Sequence, residues 1–196
     1  MPVDILVDKW EVKATDVIHL NSFYIGLHDY FWREEYSDDK DNKFPETYYW
    51  ETRTQQSGKE IWVWWRGDKT ARHMRATSFH KRLMTVDIHG VGVKDVEVMR
   101  HDKKWKVQMG KVEILVKAKL RLDPEDKWKK HWFLSKVFPI FWERFYKKYI
   151  DMHKQELLKD SYQFQEHVKK LMELNTFAVP QKPFEPAKGF GDVFTY

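Results

Sequence analysis

Nine histidines, thirty acidic side chains and no cysteine set the range of chemistry open to this 196-residue chain. Without a thiol there is no thiolate nucleophile, no disulfide and no Cys-ligated zinc or iron–sulfur site. The histidines stand at 19, 28, 73, 80, 89, 101, 131, 153 and 167, and no H-x-H or HExxH spacing brings two of them together as ligands on one element. His73 and His80 fall across a loop and a strand start. Asp38, Asp39, Asp41 and Asn42 form an oxygen-rich loop. It lacks the glycine turn and distal Glu of an EF-hand and reads as a solvated acidic loop. Gly90-Val91-Gly92 runs into Val93 and a charged strand instead of a helix N-terminus, so it is no phosphate loop. No G-x-S-x-G elbow presents a serine for acyl transfer. Arg66-Gly67-Asp68 matches an adhesion tripeptide by coincidence. The residues therefore read as a binding protein with no catalytic residue, no metal and no cofactor.

What stands out is the pairing of cations with rings. The chain holds 10 Trp, 9 Tyr and 13 Phe, and its formal charge is +5. So many rings must fill much of the core and still leave several at the surface, where rings favour interfaces. The basic residues are bunched. Residues 66–82 hold Arg66, Lys69, Arg72, Arg75, Lys81 and Arg82 against Asp68, and 127–154 hold eight Lys or Arg against Glu143 and Asp151. Residues 29–46 have the opposite bias. In the second basic stretch, Lys127, Lys129, Lys130, Lys136, Arg144, Lys147 and Lys148 alternate with Trp128, Trp132 and Trp142. RNA would use such a surface by pairing its phosphates with cations and stacking its bases on rings. A protein partner would anchor on Trp and Arg, and an anionic membrane surface, the weaker reading, would take the rings at its interface. The bland alternative has the rings facing the sheet and the lysines facing water. Arg66, Arg72, Arg75, Lys81, Arg82, Lys129 and Lys130 are the candidate nucleic-acid contacts.

Elements must position these groups. Residues 3–14 alternate as a strand, and from Thr15 the apolar spacing turns helical, with Thr15 or Asp16 as cap. Residues 47–66 read as a hairpin around Ser57-Gly58. Residues 78–89 follow as a strand, and Gly90 and Gly92 suggest a bulge or sharp bend before Val96 and Val98. Residues 111–122 give the cleanest alternation. Asp123-Pro124 opens a helix expected to run to Phe138 and to break at Pro139. A second helix of about 35 residues, roughly 50 Å, then ends near Leu174. Residues 175–196 form a Pro-bearing tail with five rings, which docks on the chain itself or on a partner. The expectation is one α+β domain over 1–174, with a 124–174 helical arm and a curved antiparallel sheet of six to seven strands. No segment reads as a signal peptide or an 18-residue apolar span, which gives a cytoplasmic expectation.

That element order resembles the helix-grip layout of START-like ligand carriers, in which a curved sheet wraps a C-terminal helix. The resemblance implies an alternative function, the carriage of an apolar small molecule between sheet and helix, lined by Trp50, Trp62, Trp64, Phe141 and Phe145. A different resemblance rests on residues 91–98 (VGVKDVEV), 110–114 (GKVEI), Lys127-Trp128 and 146–150 (YKKYI). Over about 10–174 the chain resembles a group of small uncharacterised archaeal proteins, which implies an archaeal source and no activity. The first reading is a non-catalytic accessory protein docking on RNA or a ribonucleoprotein. Self-assembly through the tail is a third.

Overall fold

Alternation dominates the middle of the chain, and the computed structural model turns it into one antiparallel sheet. The structure describes residues 3–36, 43–54, 58–69, 79–100 and 103–175. The tail, the acidic loop, Arg72 and Arg75 lie outside the described residues. The strands are β1 (Val3–Ile18), β2 (Glu46–Thr54), β3 (Gly58–Lys69), β4 (His80–Arg100) and β5 (Lys103–Leu122), in the order β1-β5-β4-β3-β2. Five long strands replace the six to seven expected. The reason is the Gly90–Gly92 stretch, which bulges without ending the strand: β4 and β5 stay paired from His80↔Leu122 to Arg100↔Lys103, with a register shift between Val91 and Lys94. Gly92 absorbs that shift at φ +63°, a conformation that costs other residues a clash with the following carbonyl.

β1 is longer than the alternation suggests, because Asp16, Val17 and Ile18 pair with Gly110, Met109 and Gln108. Helix α1 (Leu20–Arg33) therefore starts later than expected and is capped not by Thr15 or Asp16 but by His19, whose Nδ1 accepts from the Ser22 amide at 3.2 Å. The arm also divides further. It comprises α2 (Lys127–Lys130), α3 (Leu134–Ile140), a π-helical turn (Phe141–Phe145) and α4 (Lys147–Asn175). Pro139 sits inside α3, and the break follows it at the π-turn. The Asp123 carboxylate accepts from the Trp128 amide at 3.0 Å.

Helices α1 and α4 cover one face of the sheet. Val112, Ile114, Val116, Ala118, Leu120 and Leu122 of β5, Met84 and Val86 of β4, and Val63 and Trp65 of β3 are buried beneath them. Rings finish the core as expected: the Phe31 centroid lies 5.1 Å from Tyr36, 5.6 Å from Trp65 and 5.8 Å from Phe164. A polar seam pins α4. Trp10 Nε1 donates to Ser161 Oγ at 2.9 Å and Ser161 donates to Asp8 at 2.7 Å, while Tyr36 donates to Asp160 at 3.1 Å. No described element covers the other sheet face, which carries the strands' charged and aromatic side chains.

Candidate functional site

Two sequence stretches supply cations, and the structure treats them differently. On β3 and β4 each described candidate already has a carboxylate. Arg66 Nη2 lies 2.6 Å from Asp87, Lys81 Nζ lies 3.5 Å from Asp68, and Arg82 pairs with Glu156 and, at 3.7 Å, with Asp160. Arg82 belongs to the interior. Its guanidinium faces His153 Nδ1 at 3.3 Å, and the His153 ring stacks on His80 with centroids 3.8 Å apart. Burial pushes the His80 imidazole down to about 4, with the nearby His153 and Arg82 adding to the fall. Arg66 and Lys81 are thus neutralised by carboxylates of neighbouring strands, and Arg82 by the α4 carboxylates at the joint between sheet and helix. Clustering along the chain did not reveal that, because acids distant in sequence supply the partners.

The second stretch keeps its charge outward. Lys130, Lys136, Arg144, Lys147 and Lys148 are exposed, and none has a carboxylate partner among the described residues. Lys127 pairs with Glu125 at 2.6 Å. The Lys129 side chain lies outside the described ones.

The rings of this stretch split into two sets. Trp128, Phe138, Phe141 and Tyr146 surround Phe79, with centroids 5.4, 5.8, 5.8 and 5.0 Å from it, and close the end of the core. Trp132, Phe133, Phe145 and Tyr149 point to solvent, the first at 76% exposure and Phe145 at 75%. The π-turn produces part of this division. In an α-helix Phe141 and Phe145, four apart, would share a face. Here the Tyr146 amide donates to the Phe141 carbonyl at 2.9 Å, an i to i+5 bond that adds a residue to the turn. Tyr146 takes the inner place, and Phe145 swings out among Arg144, Lys147 and Lys148.

The alternative lining set is not brought together. Phe141 is enclosed in the Phe79 cluster and Phe145 faces solvent. Trp50, Trp62 and Trp64 lie on the uncovered sheet face, opposite α4, because they alternate with Tyr49, Val63 and Trp65, which point to the covered face. There Trp64 stacks on Tyr48 at 4.5 Å and Trp62 on His89 at 3.6 Å. Glu60 fixes the second pair, accepting from Trp62 Nε1 at 3.2 Å with His89 Nε2 at 2.9 Å. Trp50 pairs with Trp62 across β2 and β3.

Among the described residues no group of three or more His, Asp or Glu side chains is placed to hold a metal ion. No described helix is long and apolar enough to cross a membrane. Compared with models of protein families, with curated proteins and with solved structures, the chain matches none, so its geometry alone carries the functional reading.

Proposed function

We propose that the protein is a non-catalytic accessory factor that docks on RNA through the surface formed by α2, α3, the π-turn and the start of α4. One observation carries the reading. Trp132, Phe133, Phe145 and Tyr149 are exposed on the same stretch as five cations that have no carboxylate partner among the described residues. A partner that removes such exposed rings from water gains hydrophobic free energy, and clustered exposed rings mark interaction surfaces. Bases stack on such rings whatever their sequence, and the lysines meet the phosphates. A membrane surface fits less well. It favours one helix with a continuous apolar face, whereas these rings project from the α2–α3 connection, the π-turn and the start of α4, interspersed with cations. The uncovered sheet face adds Tyr48, Trp50 and Trp64 as a second set of exposed rings.

Fluorescence anisotropy with a labelled single-stranded RNA of about 20 nucleotides tests it. Five phosphate contacts give a salt slope near −3.5, so affinity should drop about 100-fold between 50 and 200 mM salt. The variant Arg144→Glu/Lys147→Glu/Lys148→Glu should lose binding while keeping its melting temperature, and Trp132→Ala/Phe145→Ala should weaken binding without changing the salt slope. A flat salt response, or full affinity in the triple variant, rejects the reading. Binding to phosphatidylserine vesicles and not to RNA would replace it with a membrane surface.

A further inference from the structure

A cavity of about 490 Å³ opens on the covered face of the sheet, between the first turns of α1 and strands β2 to β5. That volume suits a small organic molecule. No residue of α4 lines it, so it is distinct from a pocket between sheet and C-terminal helix. Phe23, Val63, Ile88 and Val112 make an apolar floor. Polar groups gather at the β2 side, where Tyr49 and Glu51 alternate on the face toward the helices, Glu46 joins them across the register shift between Glu46 and Tyr48, and Lys59 comes from β3.

The charges there are unequal. Glu51 accepts from the Tyr49 hydroxyl at 3.2 Å and lies 3.7 Å from Lys59 Nζ, which is also 3.6 Å from Asp95. The single lining ammonium is thus shared between two carboxylates. Among the described residues Glu46 accepts from neutral donors alone, the Tyr24 hydroxyl and, at 3.3 Å, Trp65 Nε1. Burial and Glu46 together push the Tyr24 hydroxyl well above the usual phenol range, so it remains a donor. A carboxylate has about four acceptor sites, so Glu46 retains capacity for a further donor. Tyr24 and Tyr49 line the cavity beside it.

We infer that this cavity binds a small organic cation, an amine with an apolar body, whose body rests on the Phe23–Ile88 floor and whose ammonium pairs with Glu46. A carboxylate ligand would meet Glu46 and Glu51 with like charge, and a neutral one would leave the excess negative charge unanswered.

Calorimetry and thermal melting of the full chain with phenethylamine, 2-phenylethanol and 3-phenylpropionate separate these cases, since the three share one apolar body. The amine alone should bind and raise the melting temperature. Glu46→Gln, which keeps size and acceptor oxygen, should weaken the amine at least about tenfold. Ile88→Phe, which fills the floor, should abolish binding. Equal binding of the alcohol or the acid, unchanged affinity in Glu46→Gln, or no binding of the amine to the native protein would each overturn the assignment.

Discussion

At the scale of single residues, partners decide what a charge does. Arg82 belongs to the densest basic run, yet it lies at the joint with α4 beside His153, Glu156 and Asp160. Lys147 and Lys148, less conspicuous in sequence, are the ones left to a partner. Composition showed that rings would fill the core. It could not show which rings, because Phe141 and Phe145 differ only in the register of one turn. His80 offers a direct measurement. Its ring is buried against His153, near Arg82 and Glu156, and its Nδ1 has no hydrogen-bond partner. Burial lowers its folded-state pKa from 6.5 to about 4. Above pH 6.5 both states hold it neutral and its contribution is complete. As pH falls, the unfolded chain takes the proton first and stability drops, by about 2 kcal/mol at pH 5 and about 3 kcal/mol by pH 4. Urea unfolding at pH 7 and pH 5 should show this loss, and His80→Phe should reduce it.

At the scale of elements, periodicity identified nearly every strand and helix but misjudged where two of them continue. The β1 alternation lapses at Ile5-Leu6-Val7, where the register shifts between Leu6 and Asp8, and pairing with β5 carries the strand on to Ile18. The glycines at 90 and 92 left a bulge and a sharp bend both open, because a local pattern cannot distinguish the two. Pairing with β5 on both sides makes it a bulge. Gly92→Ala should therefore cost about 1–2 kcal/mol by urea unfolding, from forcing a side chain into the left-handed region, with strand content unchanged in circular dichroism. Gly67 has another reason to be glycine: a Cβ there would lie 2.6 Å from Phe31 Cε1, so α1 packs directly on the β3 backbone.

At the scale of the molecule, the α+β make-up and the antiparallel sheet were legible, and the sheet carries α4 across one face. The cavity location was not legible, since it depends on which side of β2 faces inward. The two proposed binding surfaces are built from different elements, the cavity from α1 and the β2 to β5 strands, the proposed RNA surface from α2 to α4. With no shared residue their effects should add. Amine affinity measured in the Arg144→Glu/Lys147→Glu/Lys148→Glu variant should match that of the native protein, and Glu46→Gln should leave RNA anisotropy unchanged.

The order of strands also governs how the chain acquires its structure during synthesis. Val3 pairs with Leu122 and Ile18 with Gln108, and Trp10 reaches Ser161. During translation β1 has no strand to join until β5 has emerged, and its tryptophan has no acceptor until α4 follows. Hairpins β2–β3 and β4–β5, joined by neighbouring residues, close first. For that interval β1, rich in Val and Ile, is an unpaired strand on the ribosome, a segment that chaperones bind and that misassembles when they are scarce.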